Sequence, residues 1–306
     1  MIEDRKKLIA AGRDGSNARP ARSDVDLKSW LTSMLIFHRY TASEPGAALG
    51  LSAELIEAEA QRLKVDAETA GARPSLLPYP GGRHPRIGFL EGAIRPQRET
   101  KISFFAPWSG GGYAVIDLPE AVWHETAQGR RKLLYLAHTH VPTIWDERGE
   151  VLPPLEWKNT PSGGLELTRV FPNKVAMTSR VALKEDGLAL EFRIENDSSE
   201  TLTGLDVQIC VMLKALEGFE QQTNENKRFQ APFAVARDAQ GKRWIITAWR
   251  RCQRAWGNAP CPCLHSDPHV PDCPPGESRT VRGWVSYYVG TDIESEMRRL
   301  NSYIKN

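Results

Sequence analysis

The sequence predicts a mainly β protein: an antiparallel β-sandwich with an N-terminal helical hairpin and a C-terminal helix. Three observations lead to this fold class. From about residue 86 the chain breaks into short alternating segments, polar turns such as DERGE, EDG and NDSSE separate several of them, and no helix intervenes. Strands that follow one another without helices form antiparallel sandwiches or barrels.

The chain divides into four stretches. Residues 1–24 are rich in Arg, Ser, Gly and Asp without periodicity, which predicts a flexible arm. Residues 25–71 contain two stretches of helical periodicity and form a helical N-terminal segment. Proline and glycine are dense in residues 72–86, which predicts a linker. Residues 87–306 are expected to form the β-sandwich domain with its C-terminal helix.

The helices are predicted from their caps and apolar stripes. Asp26 is the expected cap of the first helix, DLKSWLTSMLIFHRY, and Ser52 begins the second, SAELIEAEAQRLKV. The last helix lies in TDIESEMRRLNSYIK and is capped by Thr291 or Asp292. Its apolar stripe consists of Ile293, Met297, Leu300 and Ile304.

Two consecutive strands give the clearest pattern. In GLALEFRIEN apolar and charged residues alternate, and LDVQICVMLK follows after a polar turn. One face of the second strand is apolar, whereas the other carries Gln208, Cys210, Met212 and Lys214. A sheet face with an amide, an amine and a thioether differs from an ordinary solvated surface. We expect it to form the floor of a concave site.

Composition excludes several classes of function. The 306 residues carry 40 basic and 38 acidic side chains, and a net charge of +2 gives no long-range attraction for nucleic acid or an anionic membrane. No apolar run reaches the roughly 18 residues that span a bilayer, and the polar start lacks the apolar core of a secretory signal. We therefore expect a cytoplasmic protein. Nothing in the sequence indicates a nucleotide cofactor.

The helical hairpin raises the question of a macromolecular partner. A DNA-reading helix carries basic residues, whereas this hairpin is acidic around Glu54, Glu57 and Glu59. We therefore expect the N-terminal helices to pack on the main domain or to bind a protein partner, rather than DNA.

The stretch GLALEFRIENDSSETLTGLDVQICVMLK resembles strands of the galactose mutarotase-like β-sandwich superfamily, and the run of strands from about residue 86 to 290 extends the resemblance. That superfamily contains aldose epimerases, polysaccharide lyases and parts of several glycoside hydrolases. The resemblance implies a concave polar sheet face that binds a small or oligomeric carbohydrate. It assigns no catalytic residue, because the catalytic histidine and carboxylate of the epimerases align with no specific position here.

Two histidines end a predicted strand in LLYLAHTHVPTIW. On a strand His138 and His140 point to the same face, about 7 Å apart, and such a pair can bind one divalent metal ion such as zinc or manganese. Glu156 is the expected third ligand, with His265 and His84 as alternatives. Without a metal, the two histidines suit general acid–base catalysis near neutral pH.

Further site residues are expected from their charge and aromatic character. The predicted substrate-binding residues are Arg98, Glu99, Lys101, Trp108 and Gln208. The guanidinium of Arg98 offers a bidentate fork for a carboxylate or hydroxyl-rich ligand. Alternatively, these charged residues form a solvated sheet edge with local ion pairs and bind no ligand. Lys214 is a catalytic candidate on the sheet-face floor. Asp117 and Glu120 form a pair of carboxylates that suits acid–base catalysis.

The stretch CPCLHSDPHVPDC, residues 261–273, is rich in thiols and prolines. With one upstream thiol it gives a four-cysteine set: Cys252, Cys261, Cys263 and Cys273. These four are expected to bind a structural zinc ion, to form two disulfides, or to remain free thiols. The prolines predict a stiff loop that presents His265 as a catalytic residue, oriented by Asp267.

These observations predict a carbohydrate-active enzyme of the lyase, epimerase or hydrolase type. Its site would be centred on histidines, with or without a divalent metal, on one face of the β-sandwich. The alternative is a non-catalytic protein that binds a carbohydrate or a protein partner.

Overall fold

The computed structural model describes residues 18–87, 98–126, 129–137 and 141–305. Within these ranges the chain is mainly antiparallel β, arranged in two sheets with helices at both ends, and the predicted fold class is confirmed. No helix in this part of the chain is long and apolar enough to cross a lipid bilayer.

The strands of the described chain are numbered in chain order. They are β1 (Leu76–Pro78), β2 (Lys101–Phe105), β3 (Tyr113–Glu125), β4 (Arg131–Leu136), β5 (Lys158–Asn159), β6 (Leu165–Val170), β7 (Val175–Lys184), β8 (Gly187–Asn196), β9 (Thr203–Met212), β10 (Lys227–Gln230), β11 (Phe233–Arg237), β12 (Arg243–Trp249), β13 (Cys252–Trp256), β14 (Cys263–Val270) and β15 (Glu277–Val289).

The strands pair antiparallel in two sheets. The first sheet has the order β1-β2-β3-β9-β14-β13, with β4 added along β3, and the second has the order β10-β11-β12-β15-β8-β7-β6-β5. The alternation predicted for β8 is confirmed, since its apolar residues are buried in the core between the sheets: Leu188, Leu190, Phe192 and Ile194. The apolar face of β9 enters the same core.

The helices are α1 (Asp24–Leu31), α2 (Ser43–Leu49), α3 (Ala53–Arg62), α4 (Ala67–Ala70), α5 (Ile144–Glu147) and α6 (Ile293–Lys305). Ser52 caps α3 as predicted, because its hydroxyl accepts the N–H of Leu55. The predicted cap of α1 is wrong: Ser23 is the cap, and Asp26 lies in the first turn and donates its N–H to the Ser23 hydroxyl. The stripe predicted for α6 is buried on the second sheet.

The N-terminal helices pack on the first sheet through residues 72–86. This stretch, predicted as a linker, contains β1, which pairs with β2, and the buried side chains of Tyr79 and Arg86. It lies over the outer face of the first sheet, by which we mean the face turned away from the core between the sheets. Tyr79 packs there against Tyr113 and Met212.

His38 joins the helical segment to this outer face. A π-helical turn, Thr32–Phe37, precedes it and extends α1. Its Nδ1 lies 2.7 Å from the Ser33 carbonyl and its Nε2 lies 2.8 Å from the Ser103 hydroxyl. Burial, with smaller effects from the charges of Arg83 and Arg73, lowers the pKa of His38 to about 3. The imidazole is therefore neutral at physiological pH.

Acid is expected to weaken this contact. An unfolded chain binds a proton at His38 below about pH 6.5, whereas the folded chain does not until about pH 3, so the free energy of unfolding falls as pH falls between these values. From pH 6.5 to about 5 the contribution of His38 amounts to roughly 1–2 kcal/mol. Urea unfolding across this range should show a shallower pH dependence in His38→Gln. The exposed control, His269→Gln, should keep the wild-type slope of unfolding free energy against pH. Equal slopes in the wild type and both variants would show that His38 does not cause this pH dependence.

Candidate active site on the outer face of the first sheet

A row of five side chains crosses the outer face from β2 to β13. The register places Lys101 opposite Asp117, and Asp117 opposite Cys210. His265 then lies opposite Cys210 on one side and opposite Trp256 on the other. Neighbours in such a row have Cβ atoms about 4.5–5.5 Å apart. Because the apolar residues of these strands fill the core, the polar residues collect in this row.

Glu120 lies beside the row, where the register of β3 shifts against β9. Its carboxylate accepts hydrogen bonds from Arg86 and, at 2.8 Å, from Nε2 of Gln208. Arg86 and Glu120 are only 8% and 3% exposed. A buried ion pair thus ties the end of the stretch 72–86 to the first sheet.

Cys263 and His265 form a thiol–imidazole pair next to Glu120. The Cys263 Sγ lies 3.3 Å from Nε2 of His265. A hydrogen bond with Cys210, joined by the effects of His265 and the charge of Arg86, lowers the pKa of Cys263 to about 4 against the opposing effect of burial. Burial raises the pKa of Cys210. Burial also acts to lower the pKa of His265, but the neighbouring thiol and carboxylates outweigh it and raise that pKa.

The other ring nitrogen of His265 lies between two carboxylates. Nδ1 is 3.7 Å from Oε2 of Glu120 and 3.9 Å from Oδ1 of Asp267. It has no hydrogen-bond partner among the described residues. The indole of Trp256 stacks on the imidazole with ring centroids 3.9 Å apart, which fixes the plane of the ring. A small movement of either carboxylate would bring it into hydrogen-bond contact with Nδ1.

Asp267 is held by three donors. Its Oδ1 accepts the N–H of Ile209 at 3.1 Å, and its Oδ2 accepts from Nε1 of Trp256 at 2.6 Å and from Arg254 at 3.0 Å. The β9–β14 ladder is interrupted at this point, so the carboxylate takes the place of a backbone acceptor. Burial raises the pKa of Asp267, although His265 and the donors oppose the effect.

A groove of about 500 Å³ opens on the outer face beside Asp267. Its lining residues are Trp123, Arg131, Asp206, Val207, Gln208, Gln253, Arg254 and Asp267. The charges cancel in pairs, since Arg131 lies 3.0 Å from Asp206 and Arg254 lies 3.0 Å from Asp267. Such a groove offers donors, acceptors and an indole without net charge, which suits a neutral polar ligand.

The predicted histidine pair lies outside the described residues. β4 ends at Leu136, and the N–H of Ala137, immediately before His138, donates to the Glu120 carbonyl at 2.8 Å. Metal binding by His138 and His140 therefore stays a prediction. Their expected third ligand is engaged elsewhere: Oε1 of Glu156 accepts from Arg19 at 3.0 Å and from Arg98 at 2.7 Å.

Three predicted substrate-binding residues are buried in ion pairs away from the groove. The pairs are Arg98 with Glu156, Glu99 with Arg169, and Lys101 with Asp117, whose Nζ–Oδ2 distance is 3.0 Å. The three residues are at most 7% exposed, so they do not form a solvated edge.

The remaining predicted residues are divided between the groove and other places. Gln208 lines the groove. Lys214 donates to the backbone carbonyl of His84 at 3.0 Å, and burial lowers the pKa of its amine. Trp108 lies at the edge of the core between the sheets, where its ring meets that of Tyr287 edge to face.

The structure does not bring the four predicted thiols together. All five cysteines lie among the described residues, and none is in a disulfide. The Sγ of Cys252 accepts from the Ser266 hydroxyl at 3.4 Å, whereas Cys273 donates to the Glu277 carbonyl at 3.3 Å. The two are thus held at separate places, each by its own partner.

The predicted stiff loop is wrong for residues 263–270, because they form β14. The strand places Cys263 and His265 on the face that carries Cys210. The ligand atoms of these three residues all lie within 4.8 Å of one another. Alternation in CLHSDP and in VQICVM signals this shared face. The sequence alone could not show that these two strands are neighbours.

Sequence reasoning missed Arg86, Trp256 and the groove pair of Arg131 and Asp206. Arg86 stands in a stretch of prolines and glycines, where no pattern marks a buried side chain. The others lie on β13, β4 and β9, and only the order of the strands in the sheet places them near the same site.

No protein-family model matches the chain, and no curated protein matches it in sequence. Solved structures are similar to it in fold. A Synechocystis protein is 14% identical with a TM-score of 0.37, covering 65% of this chain and 89% of that one. A galactose mutarotase-like protein from Lactobacillus casei is 10% identical with a TM-score of 0.37, and the match covers 62% of this chain and 94% of that one. A heparan sulfate lyase mutant from Pedobacter heparinus is 10% identical with a TM-score of 0.34, and the match covers 88% of this chain and 42% of that one. The predicted resemblance to galactose mutarotase-like proteins is confirmed at the level of fold.

Proposed function

We propose that the protein is a carbohydrate-active enzyme that performs acid–base chemistry on a neutral sugar in the groove beside Asp267. The observation that carries the proposal is the combination of a charge-balanced polar groove with a carboxyl group of raised pKa. General acid–base catalysis needs such a group, because a pKa nearer to neutrality allows it both to give and to take a proton.

The groove residues divide into binding and proton-transfer roles in this proposal. Gln208, Gln253 and Arg254 supply donors and acceptors for sugar hydroxyls, and Trp123 supplies an aromatic wall for the apolar side of a sugar ring. Asp267 exchanges a proton with the substrate. His265, whose Nδ1 lies 3.9 Å behind it, orients that carboxyl group.

The reaction type follows from what these groups can do. A carboxyl group of raised pKa can remove and return a proton on a sugar carbon or hydroxyl, which is the common step of lyase and epimerase reactions. Glycoside hydrolysis uses two carboxyl groups that flank the bond. Both carboxyl groups of the groove are paired with an arginine, but only Asp267 is nearly buried, whereas Asp206 is the more exposed. Lyase or epimerase chemistry therefore fits the groove better than hydrolysis.

A non-catalytic carbohydrate-binding protein is the second candidate. One observation favours it: Asp267 is held by three donors, as a structural carboxylate would be. In that case the groove would bind sugars without turning them over.

Turnover of a panel of neutral sugars and polysaccharides separates the two candidates. For an enzyme, Asp267→Asn should lower kcat by roughly 10²–10⁴-fold, while the exposed neighbour variant Asp272→Asn should keep the wild-type rate. Melting temperatures of both variants show whether the fold is retained. Binding without turnover would favour the second candidate, and full activity in a folded Asp267→Asn protein would rule out the proposed role.

A further inference from the structure

Three side chains that can bind a metal ion converge on the outer face. The atoms through which they face one another have no role in the proposed function. They are the thiols of Cys210 and Cys263 and Nε2 of His265, on the adjacent strands β9 and β14. Sγ of Cys263 and Nε2 of His265 are 3.3 Å apart, and the three ligand atoms lie within 4.8 Å of one another. All three residues are at most 1% exposed.

We propose that Cys210, Cys263 and His265 bind a thiophilic metal ion of the zinc type. Zinc–sulfur bonds are about 2.3 Å and zinc–nitrogen bonds about 2.0–2.1 Å, so tetrahedral ligand atoms stand about 3.5–3.8 Å apart. Closing the cluster from its present spread requires movements of about 1 Å, within the range of side-chain rotation. The fourth position would be open to water or to another ligand.

The surroundings of His265 match those of a metal-bound imidazole. A ligating histidine usually directs its second ring nitrogen toward a carboxylate, which fixes its tautomer and orientation. Here Nδ1 lies between Glu120 and Asp267, at 3.7 and 3.9 Å, without a closer partner among the described residues. The stacked indole of Trp256 holds the ring plane while Nε2 faces the thiols.

The charges of the site also balance with a divalent ion. Two thiolates and one dication sum to zero, and the adjacent ion pair of Arg86 and Glu120 is neutral as well. A buried group of charges is tolerated only when such compensation is complete.

The strand register favours a metal over a disulfide. Cys210 lies opposite His265, and Cys263 lies opposite Met212, so the two cysteines are diagonal neighbours. Diagonal positions on adjacent strands are about 7–8 Å apart, whereas a disulfide needs Cα atoms about 4.4–6.8 Å apart. A bridging ion spans the longer distance without a change in the backbone.

The test is a Co²⁺ titration of the purified full chain, with its metals removed and its thiols reduced by a phosphine. We expect one Co²⁺ per chain, a thiolate-to-cobalt charge-transfer absorption, and displacement of Co²⁺ by Zn²⁺. Cys263→Ser and Cys210→Ser should each weaken that absorption and lower the affinity by roughly 10–100-fold or more, since even outer ligand partners have effects of that size. Two cysteines outside the cluster provide matched controls, Cys252→Ser and Cys273→Ser, which should titrate as the wild type does.

Zn²⁺ should also raise the melting temperature of the wild type, because a ligand of the folded state stabilises it by mass action. This second measurement keeps the test valid if one serine variant fails to fold. The proposal is overturned if Co²⁺ gives no thiolate absorption, if the absorption survives both cluster variants, or if the control variants lose it equally. None of these readouts depends on sugar turnover, so the metal site and the proposed function can fail separately.

Discussion

Replacing Lys101 with methionine is expected to lower the free energy of unfolding by about 3–5 kcal/mol. The ammonium group of Lys101 lies 3.0 Å from the Asp117 carboxylate, and the two side chains are 1% and 0% exposed. Removing the lysine takes this cation away from a buried carboxylate, which keeps the hydrogen bond from the Thr100 hydroxyl at 2.6 Å. Breaking a buried ion pair by removing one partner is among the largest single destabilising changes in a protein.

Urea unfolding of a double variant tests this explanation. Lys101→Met/Asp117→Leu removes both charges, so it should recover most of the stability lost in Lys101→Met. The exposed pair of Lys132 and Glu147 provides the control, since Lys132→Met should change the free energy of unfolding by less than about 1 kcal/mol. If the double variant is no more stable than the single one, the broken Lys101–Asp117 ion pair is not the cause of the loss.

Replacing Arg86 with methionine is expected to have an effect of similar size, about 3–5 kcal/mol. The variant removes the Arg86 cation from the buried Glu120 carboxylate, which keeps the hydrogen bond from the Gln208 amide. It also releases the end of the stretch 72–86 from the first sheet, so limited proteolysis should cut this stretch faster. Thermal unfolding and proteolysis together measure both consequences.

Arg83→Met is the matched control for Arg86→Met. Arg83 belongs to the same stretch and pairs with Glu44, but both side chains of this pair are about a quarter exposed. Solvent screens such a pair more than the buried one, so we expect a smaller loss than in Arg86→Met. Equal destabilisation by the two variants would show that burial of the Arg86–Glu120 pair is not what matters.

Local patterns predicted those parts of the fold that depend on neighbours along the chain. The alternation in GLALEFRIEN predicted β8 and its buried face, and the stripe of Ile293, Met297 and Leu300 predicted how α6 packs. Ser52 was recognisable as a cap because its partner is three residues away. Each of these signals lies within one element, where period and capping chemistry determine the outcome.

The site depended on information that one strand does not contain. Cys210 was predicted to share a polar face with Gln208, but the partner strand that brings Cys263 and His265 beside it could not be identified. Prolines in CPCLHSDPHVPDC favoured a loop. Pro268 is nevertheless accommodated within β14, where the register against β13 shifts and the ladder with β9 is interrupted.

The proposed function requires that the groove on the outer face binds a neutral sugar. A crystal structure of the protein soaked with the tightest-binding sugar of a neutral mono- and disaccharide panel shows whether it does. We predict a sugar ring in the groove, with hydroxyl groups within hydrogen-bond distance of Gln208 and Asp267. A sugar bound instead in the cavity of about 1050 Å³ that His124 and Lys174 help to line, or an empty groove at saturating sugar, would contradict the claim.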